Sequence, residues 1–211
     1  MKSAYDRIAG QALERIAALS DGLFAIAMTL IVLEIHVPNR EGIHSSADLW
    51  RALGALAPRL VTYALSFLTL GIFWVGQQTQ LNFMARADRE AAWCHLAFLA
   101  FVATMPFSTE LLAEFIELRA ALLVYWLNIL ALGGVLLATW RYAVRAGLVK
   151  EGTPPEVHRA VVRRIVIAQS LYAFGAVLCV FGTAWSIGFI VLVQLYFAIS
   201  PRLSIPGRTA A

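Results

Sequence analysis

The sequence predicts an all-α membrane protein with six transmembrane helices. Of its 211 residues, 60% are hydrophobic and only 14% are charged, whereas a soluble domain is about 45–50% apolar and about 25% charged. The apolar residues form runs that reach the roughly 20 residues needed for a membrane-spanning helix. These runs do not alternate polar and apolar residues with a period of two, which excludes the strands of a membrane β-barrel. We therefore expect one membrane domain over residues 1–211.

Six apolar stretches define the predicted spans. They cover approximately residues 17–36, 56–79, 91–113, 120–142, 165–182 and 184–200. Pro106 falls inside the third stretch and is expected to kink that helix, because proline removes a backbone hydrogen bond. The last two stretches are separated by so few residues near Gly182 that they are expected to form a tight helical hairpin.

The basic residues predict the orientation of the chain in the membrane. Thirteen of the 17 lysines and arginines lie at the two termini or in the second and fourth loops, whereas three lie on the opposite side. Because cytoplasmic loops carry the excess of Lys and Arg, both termini are expected in the cytoplasm, with the chain in the plasma membrane. The net charge of +4 is not gathered in one patch, so no nucleic-acid partner is expected.

The first span begins with polar side chains, at Arg15, Ser20 and Asp21. Polar groups in a membrane helix are costly unless they are paired, and they tend to mark function. An ordinary interfacial anchor is the alternative, in which the arginine snorkels and the short side chains bond to free amides or to a neighbouring helix. The residues of this helix alone leave both interpretations open.

Three motifs resemble one known family. The pattern Arg-x3-hydrophobic-Ser-Asp-Gly-x-Phe-Ala-Ile-x2-Thr-Leu, residues Arg15 to Leu30, resembles the first-helix signature of the transmembrane protein 175 family. That family contains lysosomal and prokaryotic potassium channels. The second span carries Tyr63, Ser66–Phe67 and Phe73–Trp74 where the family has Tyr, Ser-Phe and an aromatic-Trp pair. The third span carries Pro106–Thr109, which is similar to the family's Pro-Phe-x-Thr.

The resemblance implies a polar network that holds the first helix against the second. Its members in this chain are Arg15, Ser20, Asp21, Trp74 and Gln77. The chain departs from the family pattern at Leu19, where Phe is usual, and at Gln77 and Gln78, where one or two His are usual. Glutamine donates and accepts hydrogen bonds but cannot carry a positive charge.

The resemblance also implies a homotetramer in which four first helices line a central pore. Counting from Asp21 places the pore constriction at Ile26, Leu30 and Leu33, with the Thr29 hydroxyl beside them. Spacings of four and three residues put the three aliphatic side chains on one helix face. Ordinary helix packing produces the same stripe, so the pore assignment comes from the resemblance. The chain has no T-V-G-Y-G-like loop, so a filter of backbone carbonyls is not expected.

The implied function is a potassium-permeable cation channel with a hydrophobic constriction and a modest preference for K⁺ over Na⁺. The implied partners are further copies of the chain, the lipid bilayer and permeant monovalent cations, with no cofactor besides permeant K⁺. The alternatives are a proton leak through the same pore and a proton-coupled secondary transporter, although transporters typically have ionisable residues near the membrane midplane. An enzyme or a metal site would require clustered His, Cys, Asp or Glu, and the sequence predicts neither.

Overall fold

A computed structural model of the protein describes residues 12–199, which form eight α-helices and one 3₁₀ turn. The helices are α1 (Leu13–Leu33), α2 (Ser46–Ala55), α3 (Ala57–Phe83), α4 (Arg89–Ala103), α5 (Met105–Glu114), α6 (Arg119–Arg145), α7 (Pro155–Val177) and α8 (Thr183–Ile199). The 3₁₀ turn, Leu178–Val180, directly continues α7. The chain is therefore an all-helical bundle over its described length.

Five helical segments are long and apolar enough to cross a membrane: α1, α3, α4 together with α5, α6, and α7 together with its 3₁₀ turn. The prediction of an all-α membrane protein is confirmed by these five. The sixth predicted span corresponds to α8, which is apolar but has 17 residues, and its predicted end at residue 200 lies outside the described residues. The sixth span thus stays a prediction.

Two helix boundaries differ from the predicted spans for local reasons. Helix α7 begins at Pro155, well before the predicted start near residue 165, because proline is favoured in the first turn and the basic residues that follow do not break a helix. Helix α2 lies in the first loop, where no helix was predicted, and Ser45 caps it by accepting a hydrogen bond from the Asp48 amide at 3.1 Å. Both differences extend helices into polar sequence that a search for apolar runs ignores.

The interruption predicted at Pro106 is found two residues earlier, at Thr104. Helix α4 ends at Ala103 and α5 begins at Met105, so Pro106 occupies the first turn of the second helix, where its missing N–H is not needed. The predicted hairpin is also present. Gly182 (φ 152°) turns the chain between α7 and α8, and the Ser186 hydroxyl donates to the Gly175 carbonyl at 2.6 Å.

Helix α3 lies at the centre of the bundle and packs against α1, α5, α6 and α8. Hydroxyl groups join three of these elements inside the bundle. Thr109 Oγ1 of α5 donates to Ser66 Oγ of α3 at 2.7 Å, and Thr69 Oγ1 lies 3.0 Å from the Tyr125 hydroxyl of α6. Gln194 of α8 donates to the same Thr69 hydroxyl. Such interhelical hydrogen bonds contribute on the order of 0.6 kcal/mol each in membrane proteins.

Helix α1 is covered on one face only. Its buried residues are spaced by four, three and four positions, as one helix face requires: Ser20, Phe24, Ala27 and Ile31. This face packs against α3, α4 and α5, and Phe24 contacts the Phe98 ring of α4 with centroids 6.0 Å apart. The described residues, 12–199, leave most of the remaining surface of α1 exposed.

Candidate pore helix and its polar clamp

The Asp21 carboxylate of α1 is held by two donors from α3. Trp74 Nε1 and Gln78 Nε2 each donate to Asp21 Oδ1 at 2.7 Å. The two donors are four residues apart, so they project from one face of α3 one helical turn apart. Hydrogen bonds to a carboxylate are shorter and stronger than those between neutral groups. Asp21 therefore links α1 to two successive turns of α3.

A second, buried set of contacts lies one residue earlier on α1. Ser20 Oγ donates to the Ile16 carbonyl at 2.9 Å and accepts from Gln77 Nε2 at 3.0 Å. Gln77 Nε2 also lies 3.4 Å from His95 Nδ1 of α4. Ser20, Gln77 and His95 are all buried, and a buried polar network strengthens as the local dielectric falls. These contacts tie α1, α3 and α4 together beside the Asp21 pair.

The structure brings together four of the five residues predicted to hold α1: Ser20, Asp21, Trp74 and Gln77. It adds Gln78, and we call these five residues the polar clamp. Arg15 lies outside it. Its side chain is exposed and has no hydrogen bond or ion pair with any residue in the range 12–199.

Sequence reasoning left out two contributors, Gln78 and His95. Gln78 could have been found, because its spacing of four from Trp74 predicts a shared helix face. His95 lies in a different span, and no pattern in the sequence relates it to Gln77.

The predicted constriction residues all lie on an uncovered part of α1. Ile26, Leu30 and Leu33 are 55%, 43% and 67% exposed, whereas Phe24 and Ile31 on the packed face are 2% and 1% exposed. Thr29 is exposed beside them, and its hydroxyl donates to the Ile26 carbonyl at 2.8 Å. The Thr29 oxygen therefore keeps acceptor capacity toward the outside of the chain. The three aliphatic side chains form an apolar stripe that the described residues, 12–199, cover only in part.

Comparison with known proteins shows which family contains this chain. The family model described as endosomal/lysosomal potassium channel TMEM175 matches residues 15–106, which include α1 from Arg15 onward and the whole polar clamp. A protein named potassium channel from Streptomyces collinus is 35% identical over 206 residues, covering 93% of this chain and 96% of that protein. The chain belongs to the TMEM175 family. This family is one of ion channels, so the chain is not an enzyme.

The chain is also similar to a solved bacterial structure and to part of a vertebrate protein. The crystal structure of a lysosomal potassium-selective channel TMEM175 homolog from Chamaesiphon minutus matches it with a TM-score of 0.78 at 29% identity, over 89% of this chain and 97% of that one. The endosomal/lysosomal proton channel TMEM175 of Gallus gallus is 34% identical over 109 residues. That match covers 49% of this chain but only 22% of the chicken protein.

Charged residues gather at the far end of α1 in this TMEM175 chain. Arg59 Nη1 donates to the Glu34 carbonyl at 3.2 Å, and the same guanidinium pairs with the Glu114 carboxylate of α5. The Glu110 carboxylate, which accepts a hydrogen bond from the protonated Glu34 carboxyl, raises the pKa of Glu34 above its ordinary value, and partial burial and the negative charge of Glu110 add to this shift. Within residues 12–199, no group of three His, Cys, Asp or Glu is arranged to hold a metal ion.

Proposed function

We propose that the chain is one subunit of a potassium-permeable cation channel, with α1 from each of four copies lining a central pore. One observation carries this proposal: the polar clamp fixes α1 on one side, while Ile26, Leu30 and Leu33 on another side stay exposed. A bundle that covers only part of a membrane helix leaves the rest for lipid or for other copies. Membership of a channel family favours other copies surrounding a pore.

Four copies of the apolar stripe would form three stacked aliphatic rings. A narrow apolar ring excludes water and ions, and it conducts only when it widens and becomes wetted. Selectivity would then depend mainly on the cost of removing water from the ion and would be modest. Potassium loses water more easily than sodium, so a preference for K⁺ is expected. The Thr29 oxygen, beside the stripe, would offer a partial replacement for a lost water.

The polar clamp would determine which side chains face the pore axis. In an α-helix, one residue corresponds to a rotation of about 100°. A rotation of that size would exchange Ile26 for Ala25 or Ala27, and a ring of alanines would be much wider. Asp21 and Ser20 precede Ile26 by five and six residues, so their contacts with α3 act on the same stretch of helix that forms the constriction.

The unequal number of arginines at the two ends of the bundle supports one orientation of the chain in the plasma membrane. Seven arginines lie in the loops and helix ends at the side where α3, α6 and α7 meet the membrane surface: Arg86, Arg89, Arg141, Arg145, Arg159, Arg163 and Arg164. We call this side the basic end. The opposite side has Arg40, Arg51, Arg59 and Arg119. By the positive-inside rule, the basic end would face the cytoplasm. Both termini, which we also expect there, lie outside the described residues.

The direct test is reconstitution of the purified chain in liposomes that contain a K⁺ gradient. A channel of this kind should release K⁺ without an added ionophore, faster than Na⁺ under a matched gradient. The oligomeric mass of the same preparation should correspond to four chains. Folded tetramers that pass no K⁺ would contradict the channel, and a folded monomer or dimer that conducts would contradict the tetrameric pore.

Proton conduction through the same pore is the second candidate. The match to a relative named as a proton channel favours it, because a thin water file in a hydrophobic pore carries protons more easily than hydrated metal ions. The same liposomes loaded with a pH-sensitive dye separate the two activities. A proton flux that persists when no permeant metal cation is present would establish it beside the potassium current.

A further inference from the structure

A large apolar cleft lies at the side of the bundle, away from α1. Its volume is about 1250 Å³, and it is formed by α3, α6, α7 and α8. The wall is mainly aliphatic and aromatic, with Phe83, Leu136, Ile165 and Phe197 among its residues. None of the lining residues belongs to α1, so the cleft is separate from the proposed pore.

The rim of this cleft at the basic end carries three arginines, two of which have no acidic partner among residues 12–199. Arg159, Arg163 and Arg164, all in the first half of α7, line it. Arg159 is paired with Glu156 at 3.0 Å, whereas neither Arg163 nor Arg164 forms a salt bridge with any residue in the range 12–199. The Arg164 guanidinium instead lies 5.7 Å from the centre of the Phe197 ring. Arg163 and Arg164 both line an apolar wall, and a guanidinium group binds phosphate oxygens well.

Below the rim, polar side chains lie behind the wall of the cleft. Gln169 Nε2 donates to the Ile129 carbonyl at 3.3 Å and Gln80 Nε2 to the Leu136 carbonyl at 3.2 Å. The Oε1 atoms of both glutamines, and the Tyr172 hydroxyl, have no hydrogen-bond partner in the part of the chain described. All three atoms are closed off from solvent, so the surface that the cleft presents to a ligand is mainly apolar.

The cleft is cationic at its rim and apolar below it, which is the order of charge along an anionic phospholipid. Along α7, Arg163 and Arg164 are followed by Ile165 and Ala168, which continue the apolar wall. A protein segment would have to present this same sequence of charges by coincidence, whereas every anionic phospholipid has it. Basic pockets between membrane helices are suited to such headgroups.

We propose that this cleft binds one anionic phospholipid from the leaflet at the basic end. Its phosphate lies on Arg163 and Arg164, and its acyl chains follow the apolar wall. The proposal does not rest on the channel activity. It does concern the same two turns of α3 that hold α1, because Val75, Gly76 and Thr79 line the cleft while Trp74, Gln77 and Gln78 form the polar clamp.

Native mass spectrometry of the purified full chain tests this site, with phosphatidylglycerol and phosphatidylcholine of identical acyl chains as probes. The wild-type protein should retain phosphatidylglycerol at least fivefold more than phosphatidylcholine. The double variant Arg163→Gln/Arg164→Gln should lose that preference, and Arg163→Lys/Arg164→Lys should keep most of it, because lysine also binds phosphate. Arg141→Gln/Arg145→Gln is the matched control, since it removes the same charge at the same end but outside the cleft, and it should behave as wild type.

Other results would overturn the proposal. An equal loss in the two glutamine variants would assign the preference to general surface charge, and no preference in the wild type would remove the site altogether. A fourth variant, Ala160→Trp, narrows the cleft and should lower the retention of both lipids. If the Arg163→Gln/Arg164→Gln variant changes the oligomeric mass and leaves the number of bound lipids unaltered, the cleft is a contact between subunits instead.

Discussion

The two sides of α1 are both mainly apolar, but only one of them is covered by the described residues. On a soluble amphipathic helix, apolar side chains face the protein interior and polar ones face outward. In α1, Ser20 is fully buried and hydrogen-bonded to α3, whereas Ile26 and Leu33 are more than half exposed. Hydrogen bonds to α3 therefore hold this helix in place, and the exposed aliphatic side chains can contact lipid or another copy of the chain. Variants that alter one side of α1 and leave the other intact separate these two roles.

The largest effect is expected from Ile26→Asn, which places an amide in the proposed aliphatic ring. A polar ring stays wetted at a radius where an apolar ring dries, so the K⁺ flux from liposomes should rise by about tenfold, or about 1.4 kcal/mol of barrier. Val32→Asn is the matched control, because Val32 is also exposed on α1 but lies about 120° from Ile26 around the helix. Equal increases in both variants would show that any polar residue on α1 makes the membrane leaky.

The next largest effect is expected from Asp21→Ala, on assembly more than on selectivity. This change removes the acceptor of two hydrogen bonds and leaves the Trp74 and Gln78 donors unpaired. A hydrogen bond to a charged group contributes about 1.5–3 kcal/mol, so the thermal unfolding midpoint of the purified oligomer should fall clearly. Glu14→Ala, which removes an exposed carboxylate from the first turn of the same helix, should leave the midpoint unchanged. Intact tetramers with altered selectivity alone would contradict this role.

A smaller effect is expected from the individual donors. Trp74→Phe and Gln78→Ala each remove one of the two bonds to Asp21 and should each cost about 1 kcal/mol. Since they share one partner, adding Gln78→Ala to Asp21→Ala should cost almost nothing further, which a double-mutant cycle in thermal unfolding measures. Fully additive losses would mean that the donors stabilise the protein through other contacts.

The smallest effect is expected at the far end of α1, where Glu34 meets Glu110. Because the folded state raises the pKa of Glu34, it binds a proton more tightly than the unfolded state does. This contribution to stability is complete below the unfolded pKa of about 4.3, and it is lost as pH rises through the higher folded pKa. The unfolding midpoint should therefore show a small decline with pH above about pH 4.

Glu110→Gln tests the origin of that decline, since it removes the charge that opposes ionisation of Glu34. The midpoint of this variant should vary less with pH than the wild type, while Glu117→Gln should behave as the wild type. An identical slope in all three proteins would assign the pH dependence to other groups.

The contrast within the polar clamp shows which features a sequence can reveal. Helical spacing places Ser20 and Asp21 at the start of an apolar span, and it places Trp74 and Gln78 on one face of the next. Helical spacing does not predict that the two consecutive glutamines bind different partners. Gln77 and Gln78 point about 100° apart, so one reaches inward to Ser20 and His95 and the other reaches Asp21. Only the packing of three helices decides this.

Arg15 and the lateral cleft are two further features that spacing along the sequence does not predict. Arg15 belongs to the motif that Asp21 belongs to, yet it is exposed and makes no contact with the clamp, because its position on the helix turns it away from α3. The cleft depends on the approach of α3 to α7, which are separated by more than 70 residues along the chain. Periodicity describes one helix at a time and carries no information on such an approach.

The central claim is that the uncovered side of α1 faces the axis of a tetrameric pore, with Ile26 at a narrow point. Cadmium block of Ile26→Cys channels in K⁺-loaded liposomes tests it most directly, because thiolates are soft ligands that bind such ions well when several converge. Four converging thiols should make K⁺ flux sensitive to micromolar Cd²⁺, while Val32→Cys and the wild type, which retains Cys94 and Cys179, should be unaffected. Block of Val32→Cys with no block of Ile26→Cys would contradict the account.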